Sequence, residues 1–229
     1  EASGDTYNWV KSRTTYTPIT NSGLILKETK DFVDGLGRPI QTVKVNHSPN
    51  NKDVVHGKVY DNKGRVYREY LPVESNVNTG AFYTIPVGTK YTETVYEASP
   101  LNRPISITPP GTVGYPGSWY STSMVYGANS ASDVVNLNTG SYYAANTLTK
   151  VVKTDPMNNR TIVFKDKNGR EVMTWNTDVS YTNHARTYTL YDNKDRVSTI
   201  VPPGATLSTL DLIYKYTYDQ DDKMLTKSV

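Results

Sequence analysis

Tyr60-Asp61-Asn62-Lys63-Gly64-Arg65, running on into Val66-Tyr67-Arg68-Glu69-Tyr70, is the stretch whose reading decides the fold. Three residues separate the aspartate from the arginine. A three-residue hairpin loop is usually a type I turn ending in a left-handed residue, and glycine takes that conformation without a Cβ clash. The Asp61 carboxylate is placed to accept backbone N–H groups inside such a turn. It also faces Arg65 across the neck of the hairpin, where a charge-assisted pair is expected. Tyr60 and Val66 then form the next cross-strand pair, with the ring covering apolar area. The unit is a β-hairpin that cannot bury its own faces, so stacked neighbours must do it.

Those neighbours are in the chain. Tyr191-Asp192-Asn193-Lys194-Asp195-Arg196, followed by Val197-Ser198-Thr199-Ile200-Val201, repeats the pattern nearly residue for residue. Val33-Asp34-Gly35-Leu36-Gly37-Arg38, Lys165-Asp166-Lys167-Asn168-Gly169-Arg170 and Tyr218-Asp219-Gln220-Asp221-Asp222-Lys223 are variants. Tyr96-Glu97 with Leu101-Asn102-Arg103 is a copy with a longer loop. Arg38 and Arg65 are 27 residues apart, Arg170 and Arg196 are 26, and Arg196 and Lys223 are 27. Such a period marks a repeat architecture. Asp195 and Asp222 replace the turn glycine, and aspartate tolerates the left-handed region better than most residues.

Composition points the same way. The 229 residues include 30 Thr, 24 Val and 19 Tyr, all strand-favouring types that make up about a third of the chain. A helical bundle and a parallel α/β fold are excluded. The fold class expected is all-β, with successive antiparallel hairpins forming a curved, spiralling sheet. Basic and acidic residues number 25 and 22 and are interspersed, which gives no nucleic-acid signature. No apolar run reaches the roughly 20 residues a membrane-spanning helix needs. Cysteine is absent, which excludes disulfides and thiol chemistry. The chain opens on Glu1, so a removed signal peptide or a longer parent chain is expected.

Four segments follow from the pattern: a leading segment at 1–30, hairpins at 31–110, an insertion at 111–148, and hairpins again at 149–229. The insertion reads as loops with two short strands, Ser123-Met124-Val125-Tyr126 and Val134-Val135-Asn136-Leu137. Pro109-Pro110-Gly111 and Pro202-Pro203-Gly204 close outgoing strands, since proline has no ladder donor.

At this point the hairpins resemble the YD repeats of the RHS (rearrangement hot spot) proteins. The blocks Phe32-Val33-Asp34-Gly35-Leu36-Gly37-Arg38-Pro39-Ile40-Gln41-Thr42-Val43, Tyr70-Leu71-Pro72, Glu93-Thr94-Val95-Tyr96-Glu97-Ala98-Ser99-Pro100-Leu101-Asn102-Arg103 and Leu212-Ile213-Tyr214-Lys215-Tyr216-Thr217-Tyr218-Asp219 occur in the order of that family's N-terminal region. The resemblance implies a spiral of hairpins closing into a hollow shell around a C-terminal toxin or other effector. It implies a secreted or cell-surface polymorphic toxin of a Gram-negative bacterium, with type IX secretion as the route. Partners would be further YD repeats and the effector of the same polypeptide, or a secretion or surface assembly. Asp155-Pro156-Met157-Asn158 resembles the start of the family's self-cleaving segment but lacks the glycine that follows there, and is read as a turn.

Catalytic constellations are missing from the sequence. There is no Gly-x-Ser-x-Gly elbow, no His-Glu-x-x-His and no phosphate-binding loop. His47, His56 and His184 read as surface or turn residues. The acidic turns at Asp166 and Asp219 lack the distal bidentate glutamate of a calcium loop, so no metal or cofactor is expected and no enzyme activity. The site residues expected are structural: Asp34, Arg38, Tyr60, Asp61, Gly64, Arg65, Asp166, Gly169, Arg170, Tyr191, Asp192, Arg196, Tyr218 and Asp219. The alternative is a surface adhesion or carbohydrate-binding module, with Trp119, Tyr142 and Tyr143 as glycan contacts. Against that alternative, a chain with three Phe must use tyrosine to supply core area.

Overall fold

The computed structural model describes residues 7–16, 25–110, 121–178, 180, 184–205 and 212–228. The chain divides into two compact units, Glu1–Tyr120 and Ser121–Val229. Both are built of antiparallel strands, and no α-helix occurs among the described residues.

The first unit holds β1 (Asn8–Tyr16), β2 (Ile25–Val33), β3 (Pro39–Val45), β4 (Val54–Tyr60), β5 (Val66–Tyr70), β6 (Val73–Glu74), β7 (Tyr91–Tyr96) and β8 (Pro104–Thr108). They pair in the order β1-β2-β3-β4-β5-β7-β8. β5 covers the Lys58–Tyr60 half of β4 and β6 the Val54–Val55 half, on either side of the break at Leu71-Pro72. The 1–30 segment therefore includes a strand, β1, paired with β2 along its full length.

Alternation sets the faces. Phe32, Val43 and Val55 are fully buried, while Asp31, Thr42 and His56, one residue away on the same strands, lie on the opposite, polar face. The apolar face is roofed by the 75–90 excursion, whose Phe82, Tyr83 and Ile85 pack on those three residues. The roof is latched by buried polar groups. Gln41 donates to the Tyr83 carbonyl at 2.8 Å and accepts from the Tyr83 N–H at 2.8 Å. Asp53, with no exposed surface, accepts the N–H groups of Asn46 at 3.0 Å and Gly80 at 2.7 Å.

The second unit holds β9 (Thr122–Ala128), β10 (Val135–Asn136), β11 (Ser141–Tyr142), β12 (Thr149–Thr154), β13 (Arg160–Lys165), β14 (Glu171–Thr177), β15 (His184–Tyr191), β16 (Val197–Val201), β17 (Tyr214–Tyr218) and β18 (Met224–Ser228). The order is β9-β12-β13-β14-β15-β16-β17-β18, with β10-β11 a separate ribbon. β9 lies in the stretch read as insertion, yet it pairs with β12 over six residues, so the excursion from the sheet spans 129–148. It roofs the second core: Val134 and Leu148 pack with Ile162, Phe164, Val172 and Met173. Asn129 is its latch, accepting the Leu148 N–H at 2.8 Å and donating to the Ala144 carbonyl at 2.9 Å.

Candidate functional site

Each Asp hairpin has the same turn. The Gly64 N–H bonds the Asp61 carbonyl at 3.0 Å, and the Asp61 N–H bonds the Arg65 carbonyl at 2.9 Å. Gly64 sits at φ 79° and Gly169 at φ 80°, while Asp195 and Asp222 take φ 64° and 62°. The ladder shifts by one residue immediately before the turn, at Val59/Tyr60, Phe164/Lys165, Leu190/Tyr191 and Thr217/Tyr218. This is the bulge that accompanies a three-residue loop. Tyr60 stands across from Val66 and Tyr191 from Val197.

The aspartates divide their two oxygens between backbone and guanidinium. Oδ1 of Asp61 accepts the N–H groups of Lys63 and Arg65, both at 2.9 Å. Its Oδ2 receives Arg65 Nε and Nη2, both at 2.7 Å. Asp34 with Arg38, Asp166 with Arg170 and Asp192 with Arg196 are arranged alike, with Oδ2 distances between 2.6 and 2.8 Å. Asp219 accepts Asp221 N–H at 2.9 Å and Lys223 N–H at 2.8 Å. At Asp61 the Arg65 backbone N–H leads in holding the carboxyl below its ordinary range, with the guanidinium adding to it. At Asp166 burial opposes ionisation, but the Arg170 side chain and the turn N–H groups together lower the carboxyl. Glu97 of the long-looped copy is lowered to about 2, first by the Arg103 guanidinium and then by the Ser99 hydroxyl.

The second set of contacts runs between hairpins. The β3–β4 ladder pairs Gln41 with Gly57, and three residues further toward the turns Tyr60 stands across from Arg38. The same step from the pairs Arg68–Glu93, Met173–Tyr188 and Thr199–Lys215 sets Tyr96 across from Arg65, Tyr191 from Arg170 and Tyr218 from Arg196. In all four cases the guanidinium lies over the tyrosine ring, 4.5 to 4.8 Å from its centroid. In all four the hydroxyl donates to the carbonyl of the residue after that arginine. The acceptors are Pro39 at 2.8 Å, Val66 at 2.9 Å, Glu171 at 2.9 Å and Val197 at 2.8 Å. Each arginine thus closes its own turn through Nε and Nη2 and carries the next hairpin's tyrosine on its face.

The remaining Nη1 reaches the left-handed residue of the next turn. Arg65 donates to Asn102 Oδ1 at 3.1 Å, Arg196 to Asp222 Oδ1 at 2.6 Å, and Arg170 to Asp195 Oδ1. At Gly64, φ 79°, an added Cβ would lie 2.9 Å from Arg38 Nη1, the movable end of that side chain, which would have to shift. Sequence reading accounts for Asp195 and Asp222 by tolerance alone; the structure adds an ionic partner for each.

Tyr142 and Tyr143 are adjacent on the excursion but do not form one surface. Tyr142 is 57% exposed, whereas Tyr143 packs against the second core and burial pushes its hydroxyl pKa up. Trp119 lies outside the described residues. No cluster of three or more potential metal ligands occurs among the described residues. No helix there is long and apolar enough to cross a membrane.

Sequence reasoning pairs Tyr60 only within its own hairpin and misses its bond to the previous one. The signal is the near-constant offset from Arg to the next Tyr, 22 residues for Arg38–Tyr60 and Arg196–Tyr218 and 21 for Arg170–Tyr191. Two further turns share this geometry, one at Ser48 that sequence reading misses and one at Asp155 that it reads as a turn without placing it in the set. Ser48 replaces the aspartate in one, its Oγ accepting Lys52 N–H at 2.9 Å. Asp155 pairs with Asn159 Nδ2 at 3.0 Å in the other.

Fold and site define an all-β protein of antiparallel hairpins joined by arginine–tyrosine contacts. A family model described as a domain of unknown function, DUF6443, matches residues 7–126, more than half of the chain, and the chain belongs to that family. No curated protein matches the sequence. Among solved structures, the crystal structure of TcdB2-TccC3-Cdc42 is similar with a TM-score of 0.65 at 15% identity, over 96% of this chain and 11% of that one. The crystal structure of TcdB2-TccC3-TEV gives 0.63 at 16%, with the same two shares, 96% and 11%. A Photorhabdus luminescens Tc holotoxin pore with a TccC3 variant gives 0.59 at 15%, again over 96% and 11%. At such identities the likeness is one of fold. The chain spans about a ninth of the length of each of these three chains.

Proposed function

We propose that the chain is a YD-repeat segment in the wall of an RHS-type shell that encloses, carries or presents an effector or toxin. The observation that carries this reading is the repeated arginine–tyrosine bond, which joins four pairs of neighbouring hairpins in one register. Such a bond suits a wall extended hairpin by hairpin. The fold likeness to toxin-complex chains about nine times longer supports it. The rim carboxylates are engaged by turn N–H groups and guanidinium groups, and the role read for them is structural and non-catalytic. The partners are further repeats and the effector, or components of a toxin-like assembly, and the protein is exported by a Gram-negative cell.

Protease challenge of the full gene product tests this. A segment carried inside a shell is spared until acid or denaturant opens the wall. Digestion of every segment outside the hairpins at one common rate contradicts enclosure.

A further inference from the structure

Lys30 lies on the roofed apolar face of the first sheet, across from Val43 on β3 and two residues from Phe32, and is only 8% exposed. Lysine is almost never so buried unless an anion pairs with it. Among the described residues the Lys30 ammonium has no hydrogen-bond acceptor and no carboxylate within ion-pair distance. The carboxylates of that region are committed elsewhere. Glu28 holds Lys11 at 3.0 Å and Arg13 at 2.8 Å, and Asp53 accepts the N–H groups of Asn46 and Gly80. Lys11 stands directly across from Lys30 on β1, so the neighbouring charge has the same sign.

The roof is shaped around this lysine. Gly80 passes so close that an added Cβ would lie 3.2 Å from Lys30 Cε and 3.3 Å from Cδ. The stem is therefore packed, and a methionine would fill the same slot without desolvating a charge. The ammonium ends 4.9 Å from the centroid of the Trp9 ring. It is not among the fully enclosed polar atoms, so it meets solvent beside that ring. Trp9 is exposed, and so is Tyr7, whose ring rests on Phe82 of the roof at 4.3 Å. An unpaired cation thus adjoins two exposed aromatic rings.

We propose that Lys30, Trp9 and Tyr7 form a binding site for a carboxylated sugar. The carboxylate supplies the anion that Lys30 lacks, in a charge-assisted hydrogen bond, and Lys11 adds to the attracting field. The apolar C–H face of the pyranose ring covers exposed aromatic surface, the pairing of apolar area with a few placed polar groups that marks small-ligand sites. An acidic protein side chain would satisfy the ammonium but leave the two rings uncovered, which favours the sugar. Carbohydrate binding is thereby placed on the first unit, away from Tyr142 and Tyr143. The site needs neither a shell nor an effector.

Trigalacturonate and sialyllactose, titrated separately into the 229-residue chain by calorimetry, test the site, with lactose and triglutamate as controls. One or both acidic sugars should bind, and neither control should. Lys30→Met keeps the packed stem and removes the charge. It should weaken binding at least about tenfold while the melting temperature holds or rises. Trp9→Leu should weaken binding as well. A second measurement needs no variant: in the isotopically labelled chain the Trp9 indole N–H resonance should shift as the acidic sugar is added. Failure of both acidic sugars to bind, a Trp9 resonance that stays in place, or binding indifferent to Lys30→Met would overturn the site. Equal binding of triglutamate would overturn it too, and would make the ligand an acidic polypeptide. None of these outcomes bears on enclosure, which the protease experiment reads separately.

Discussion

Arg65 makes contacts on three sides: Asp61 in its own turn, the Tyr96 ring of the next hairpin, and Asn102 beyond it. Its side chain is 17% exposed, so these contacts are partly shielded from solvent. A double-mutant cycle on Arg65 and Tyr96 should return a coupling of about 0.5–2 kcal/mol. The same cycle on Arg65 and Tyr60 should return less than about 0.3 kcal/mol, because Tyr60 serves Arg38. Equal couplings would mean that the tyrosines act within their own hairpins. Acid should also act at this scale. Glu97 falls from 4.5 to about 2 in the folded chain, chiefly through Arg103, and the rim aspartates Asp34, Asp61, Asp166 and Asp192 are lowered too. A carboxyl lowered by folding stabilises the native state above its unfolded value and loses that contribution as the pH falls toward its folded value. Melting temperature should therefore decline between about pH 4.5 and 2, and Glu97→Gln should flatten part of that slope. A melting temperature constant across that range would contradict the ionised rim.

The hairpins are legible in the sequence because their chemistry is local. Asp61, Gly64 and Arg65 act within five residues, so spacing alone reports them. The two roofs are not legible, because each depends on contacts between distant positions. Gln41 meets Tyr83 across 42 residues, and nothing near either residue marks the pair. Asn129 similarly reads as a loop residue, yet it is only 1% exposed and holds the ends of the 129–148 excursion together. Asn129→Ala should cost about 1–3 kcal/mol, because the Leu148 N–H and Ala144 carbonyl lose a buried partner. Urea unfolding reads this, and a loss under about 0.3 kcal/mol would mean that water replaces the side chain. Gly57 makes the corresponding test of the first roof. A Cβ there would lie 2.3 Å from Ile85 Cδ1, so Gly57→Val should lift Ile85 and speed exchange at the Tyr83 amide, while the Asp61 turn stays protected. Unchanged exchange at Tyr83 would show that the roof is held without that slot.

Over the whole chain, both units pair a hairpin sheet with one roofed apolar face, and both belong to a fold seen in much longer toxin-complex chains. The all-β class is legible from the Thr, Val and Tyr content, and far-ultraviolet circular dichroism should report less than about a fifth helix. The bond between hairpins is less legible, because it needs the register of adjacent strands as well as the period of the repeat. Its energetic logic is that of a linear array, in which stability is a sum over units and their nearest-neighbour interfaces. Electron cryomicroscopy of the full gene product tests the central claim most directly. The account predicts that the 229 residues form part of a continuous wall in which the guanidinium groups of Arg38, Arg65, Arg170 and Arg196 lie over the tyrosines of the neighbouring hairpins. A separately folded domain outside any wall would contradict it.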